Sequence, residues 1–208
     1  MRTYLNLLAL TMFLVVASLP VSSQSSSPAI ADPALLAKAN AGDAPSQVEI
    51  GDLYVRAGNV ADQDPNRRIA AEMSASDYII AAGWYRKAAE QGSVPGQMHL
   101  AALYRDGKGV ARDMAQAAEW YRKAAEQGDT DAQATLGLLY SIGQGVPHNN
   151  VEACFWLDLA AAVKGPNQQK YAANRQSIVA RITVDELEEV QERVAKWLAA
   201  HPRPAATE

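Results

Sequence analysis

The stretch Trp84-Tyr85-Arg86-Lys87-Ala88-Ala89-Glu90-Gln91-Gly92 returns residue for residue at positions 120–128, 36 residues on. A third, drifted copy starts at Trp156, again 36 residues later, as Trp156-Leu157-Asp158-Leu159-Ala160-Ala161-Ala162. Gly107-Lys108-Gly109-Val110 is echoed at the same spacing by Gly143-Gln144-Gly145-Val146, and Leu103-Tyr104 by Leu139-Tyr140. A fixed period of this size marks stacked supersecondary units, none of which can bury its apolar face alone.

Within each unit the apolar spacing is helical. Ala132, Leu136, Leu139, Tyr140 and Gly143 recur at three to four residues, and so do Ala117, Trp120, Tyr121, Ala124 and Ala125. The Gly-x-Gly-Val turn separates two helices, and Gln-Gly ends the second, because glycine adopts the left-handed conformation that closes a helix end. Each unit is therefore a helix hairpin. Trp84, Tyr104, Trp120, Leu136, Gly137, Tyr140 and Trp156 are the expected structural core of the repeat, and truncating a buried Trp120 to alanine would cost about 3–5 kcal/mol.

An older copy lies upstream, where Gln47, Gly51 and Leu53-Tyr54 match Gln133, Gly137 and Leu139-Tyr140. Its two halves are pushed apart by a polar segment at residues 58–76, which reads as an extended loop or a short extra helix. The expected units cover about residues 43–92 with that insertion, 93–128 and 129–165, within a repeat region of 34–165. Downstream, Gly165-Pro166 stops one helix and starts another. Thr183-Val184-Asp185-Glu186 is a capping box for a helix with Leu187, Val190, Val194, Trp197 and Leu198 on one side. Residues 166–201 thus read as a helical cap and 202–208 as a tail.

The amino terminus tells a separate story. Met1-Arg2 precedes an apolar run at residues 4–19, followed by Pro20 and Val21-Ser22-Ser23, the layout of a secretory signal peptide over residues 1–23. Cleavage is expected after Ser23, with Ala31 as the second choice, and residues 24–33 form a Ser-, Pro- and Ala-rich leader. The apolar run is shorter than the ~20 residues that span a bilayer, so no stable membrane insertion is expected after cleavage. A periplasmic or secreted protein follows.

Composition removes several function classes. In 208 residues, 19 Lys+Arg against 23 Asp+Glu give a net charge of −4 with no basic stripe, which argues against nucleic acid as a partner. The single cysteine, Cys154, permits no intramolecular disulfide, and it aligns with the small packing positions Ala82 and Ala118. His99, His148 and His201 show no metal spacing. Glu119 and Glu126 pair with Lys123 and Arg122 on a solvated face. Lys108 between its glycines lacks the strand that precedes a phosphate loop. No catalytic residue, metal site or cofactor is expected.

These motifs, Ala-Gln-x-x-Leu-Gly-x-x-Tyr, Gly-x-Gly-Val and Ala-x-x-Trp-Tyr-x-Lys-Ala-Ala-Glu-Gln-Gly, resemble Sel1-like repeats, bacterial relatives of tetratricopeptide repeats, over about residues 35–164. The resemblance implies an all-α, right-handed solenoid of antiparallel helix hairpins, with the trailing residues through Arg181-Ile182-Thr183 as the cap of an exported member. It also implies a non-enzymatic scaffold, adaptor or regulator whose partner is another protein or a peptide. In such repeats the first helix of each hairpin lines a concave groove. Transferred to this sequence, the groove positions are Val48, Asp52 and Val55; Met98, Ala102 and Arg105; and Ala134, Leu138 and Ser141. Exported relatives also leave an envelope hydrolase or a cell-wall glycan binder as the alternative function. Separately, the polar segment at 58–76 reads as a site for regulation by proteolytic nicking, because polar loops are where proteases cut. The oligomeric state and the partner's identity are not encoded in any of these motifs.

Overall fold

A computed structural model describes residues 32–61 and 67–202. The predicted signal segment, nearly all of the leader and the tail from residue 203 lie outside the described residues. Among those described, every regular element is a helix: α1 (Pro33–Asn40), α2 (Ala44–Ala61), α3 (Arg67–Glu90), α4 (Val94–Asp106), α5 (Met114–Glu126), α6 (Thr130–Ile142), α7 (Asn150–Ala161), α8 (Gln168–Val179) and α9 (Val184–Ala200). Each packs on the next through α8, and α9 returns to α7. The first unit is α2 with α3, the second α4 with α5, and the third α6 with α7. This is the expected all-α solenoid of helix hairpins.

Local chemistry sets the ends of these helices. Ser93, Asp113, Asp129 and Asn149 cap the starts of α4, α5, α6 and α7 by accepting backbone N–H bonds, and the Thr183–Glu186 capping box opens α9. Gly107 and Gly143 close α4 and α6 in the left-handed conformation. The second glycine of each Gly-x-Gly-Val turn has a different task. Gly109 and Gly145 also carry positive φ, and a Cβ on either would run into the backbone of the preceding unit's second helix, at Tyr78 and Met114 respectively. Turn and helix meet backbone to backbone, which only glycine permits.

The repeat core differs from expectation in which aromatic is buried. Tyr85 and Tyr121 are fully buried, whereas Trp84 and Trp120 are half-exposed, with the ammonium groups of Lys87 and Lys123 about 4 Å above their rings. The reason is helical phase. Ala81, Ala82, Tyr85, Ala88 and Ala89 make one continuous buried stripe, and the residue before its central tyrosine falls on the rim. Trp156 alone of the three is buried, because α8 and α9 add their side chains to its cluster. Leu136 and Gly137 are buried as expected, and Tyr104 and Tyr140 are half-buried. A Cβ on Gly137 would stand 2.8 Å from Leu157 Cγ, so this glycine allows α6 and α7 their close approach.

Over its described residues, 58–61 and 67–76, the polar insertion is helical and continues α2 and α3 rather than forming an extended loop or an extra helix. α2 has 18 residues and α3 has 24, against 13 in each of α4, α5 and α6, so the added length goes mainly into the two existing helices. The segment after Pro65-Asn66 contains no glycine or proline until Gly83, and such a run propagates a helix readily. Residues 62–66 lie outside the described set.

Candidate binding groove

The first helices α2, α4 and α6 present equivalent rows. Asp52, Ala102 and Leu138 form one, and Arg56, Asp106 and Ile142 the next. The second-helix tyrosines pass beneath and reach this face with their hydroxyls. Tyr85 Oη donates to Asp52 Oδ1 at 2.7 Å, and Tyr121 Oη accepts from Arg105 Nη1 at 3.2 Å. The corresponding residue of the third unit is Leu157, which carries no hydroxyl. The chemistry of the face changes accordingly, from polar over the first two units to apolar over the third, where Leu138 and Ile142 are 38% and 59% exposed.

Between the first and second units lies a cleft of about 230 Å³, lined by Val55, Asn59, Tyr78, Tyr85, His99, Ala102, Leu103, Asp106 and Lys108. His99 stacks on Tyr85 at 4.8 Å between centroids, and its Nε2 stands 3.6 Å from Asp52. Lys108 Nζ donates to Tyr78 Oη at 2.8 Å and lies over the same ring. Asp106 accepts both Arg105 Nε and Nη2. That forked bond holds the Asp106 carboxyl below the usual carboxylate range and outweighs the opposing effect of burial. Burial, reinforced by the Asp52 carboxylate, pushes the Tyr85 hydroxyl far up, so it remains a donor at any physiological pH. Opposite charges balance around the cleft, and its rim offers both donors and acceptors.

Of the nine predicted groove residues, the structure brings six to this face and removes three. Asp52, Val55 and Ala102 line or border the cleft, Arg105 and Leu138 are exposed, and Val48 is half-buried against the first-unit core. Met98 is a wedge between two core clusters rather than a free contact. Ala134 and Ser141 are buried and offer a partner nothing. Ala134 shares a cluster with Tyr171 and Ile178 of α8, a helix that the row-by-row transfer left out of account. His99, Asp106, Lys108 and Ile142 were missed. Asp106 and Ile142 sit one residue beyond the chosen row, and the identical rows of the repeat could have located them.

Chemistry elsewhere is sparse. Cys154 is buried, and burial with the nearby Asp158 carboxylate pushes its thiol up to about 11, which keeps it protonated and a poor nucleophile. Among the described residues no group of three His, Cys, Asp or Glu could hold a metal ion, and no helix is long and apolar enough to cross a membrane.

The family model for the Sel1 repeat matches residues 71–93, 94–129 and 130–162. A Sel1 repeat protein from Oxalobacter formigenes is 30% identical with a TM-score of 0.54, over 69% of this chain and 96% of that one. The antigen c5321, described as a protective antigen of uropathogenic Escherichia coli strains displaying an SLR fold, is 25% identical with a TM-score of 0.56. That alignment covers 84% of this chain and 44% of the antigen, so the chain spans less than half of the antigen's length. No curated protein matches. The shared repeats, and their agreement with a Sel1 repeat protein over nearly its whole length, make the chain a member of the Sel1 repeat family.

Proposed function

We propose that the protein is a non-enzymatic adaptor or regulator of the bacterial cell envelope, and that it holds a segment of a partner protein in the groove of α2, α4 and α6. Sel1 repeat proteins generally act as protein–protein interaction scaffolds. The observation that carries the reading is the two-part chemistry of the groove: a polar cleft between the first two units and the exposed Leu138–Ile142 pair on the third. A partner segment with hydrogen-bonding groups at one end and aliphatic side chains at the other satisfies both parts. Export rests on the charged start, apolar run and small residues of positions 1–23.

Cross-linking in intact cells, followed by identification of the captured proteins, tests this function. Leu138→Asp combined with Ile142→Asp should abolish capture of a specific partner while leaving the melting temperature nearly unchanged, since both side chains face solvent. Recovery of the same proteins at the same level by this variant would refute groove binding.

A further inference from the structure

A buried polar relay recurs along the stack and stops at one point. Gln47 Nε2 donates to the Ala39 carbonyl, and Gln91 Nε2 donates in turn to Gln47 Oε1 at 2.8 Å. One unit on, Gln97 donates to Ala89 and Gln127 donates to Gln97 Oε1 at 2.7 Å. Gln133 likewise donates to Ala125. Here the relay ends, because the position 36 beyond Gln127 is Val163. Gln133 Oε1, fully buried, accepts no hydrogen bond from any of the described residues. The missing donor belongs at the end of α7, where the chain leaves toward α8.

Two further devices fail at the same place. α3 and α5 end in Gly92 and Gly128 at φ +87° and +90°, and the following residues, Ser93 and Asp129, send their N–H groups back to Ala88 and Ala124. The equivalent of these glycines after α7 is Lys164, and the α7 cap Ala162 stays right-handed. Asn167 gives α8 no side-chain cap. Val163 also lines a cleft of about 440 Å³, with Gln127, Thr130, Trp197 and His201 on its other walls. Of the twelve residues of α8, only Tyr171 and Ile178 are buried. Its polar ties are Tyr171 to Asp131, Arg175 to Asp158, Gln168 to the Ala161 carbonyl and, from the residue before it, a long bond from Asn167 Nδ2 to Asp131 at 3.4 Å. α9, by contrast, has its own anchorage on α7 through fully buried Val190 and through Arg193, which bonds Glu152 at 2.6 Å and covers the Phe155 ring.

We propose that α8 is a detachable strap, released between residues 162–167 and 180–183 while α9 remains docked on α7, and that its release uncovers the concave face of the third unit around Ala134. Its use as a gate on partner binding rests on the groove function proposed above; the opening itself does not.

Cys154 is a built-in reporter. It is buried on α7 beside the Arg175–Asp158 tie, and both of those charges act on its thiol. Hydrogen exchange by mass spectrometry on the full chain should show amides of residues 168–179 exchanging at least tenfold faster than those of α5 and α9. Under native conditions, a disulfide reagent should label Cys154 well before the chain unfolds. Val163→Gln, which restores the donor, should slow both processes at least threefold. Arg175→Gln should speed both by a similar factor. Equal protection of α8 and α5, labelling of Cys154 only at the rate of global unfolding, or indifference of both readouts to Val163→Gln would each overturn the strap. The gate is tested separately by cross-linking. Reduced partner capture by Val163→Gln supports it, and unchanged capture by a variant with slowed opening refutes it. Absence of any specific partner would instead refute the groove.

Discussion

The joint between the second and third units and the joint between the third unit and α8 carry out the same connection with different parts. The first has Gln127 in the relay, Gly128 in a left-handed turn and Asp129 capping α6. The second has Val163, Lys164 and an Asn167 that caps nothing. Apolar burial continues through both, but α8 buries only two residues against seven in α6, and the helix ends differ as well. What differs at the ends is whether the polar backbone is satisfied, and the two differences decide which helices must move together.

The largest test of this difference compares two buried aliphatic residues. Leu136→Ala in α6 should cost about 2–5 kcal/mol in global urea unfolding, whereas Ile178→Ala in α8, also buried, should cost less than about 1 kcal/mol because it weakens only the local structure. Equal losses would show the two joints to be equally firm. Next come the relay glutamines. Gln97→Met removes two hydrogen bonds, one to the Ala89 carbonyl and one from the Gln127 amide, which keep the Gly92 N–H and the Lys123 carbonyl as partners, for about 1–2 kcal/mol. Gln133→Met removes one bond together with an oxygen that accepts none from the described residues and should cost less than about 1 kcal/mol. Thermal melts of the two variants distinguish them.

Glycine substitutions sharpen the contrast at comparable or lower energy. Gly128→Ala forces a side chain into φ +90° and should cost about 1–2 kcal/mol. Gly165→Ala, with open space around its Cβ, should change stability by less than about 0.5 kcal/mol. The smallest effect is one of pH. Hydrogen bonds from Ser46 and Thr183 hold the Asp43 and Glu186 carboxyls below their usual range. Their stabilisation of the α2 and α9 starts is therefore present above the ordinary carboxylate pKa and is lost as pH falls through the lowered values. Asp43→Asn should reduce the drop in melting temperature between pH 7 and pH 3, and Asn167→Ala should leave that drop unchanged.

Much of the architecture could be read from residues 84–92 and their echo, because identical helix ends recur with identical turns. Trp84 and Trp120 misled for a physical reason: size drew attention to them, whereas phase along the alanine stripe decides burial, and Tyr85 and Tyr121 hold that phase. At residues 67–76 polarity suggests a loop, but the absence of helix breakers after Asn66 decides the outcome and the stretch is helical. In the groove, the rows came close. Ala134 drops out because it joins the cluster that α8 enters, and α8 does not declare itself as the next first helix by sequence; Ser141 is buried with its hydroxyl donating to the Leu138 carbonyl of its own helix. The Gln47 and Gln133 match was visible, but their hydrogen-bond partners lie on other helices and in other units, where no local motif reports them.

Gly109 and Gly145, pressed against the backbone of the preceding unit, fix the pitch of the stack by main-chain atoms alone. Spacing is then indifferent to most side-chain drift, and a block running from residue 94 to residue 129 could be excised or duplicated with its turns in register, Gly92 and Gly128 being equivalent ends and Ser93 and Asp129 exchanging as helix caps. The reach of such a molecule can change by whole steps through copy number, without redesign of any contact.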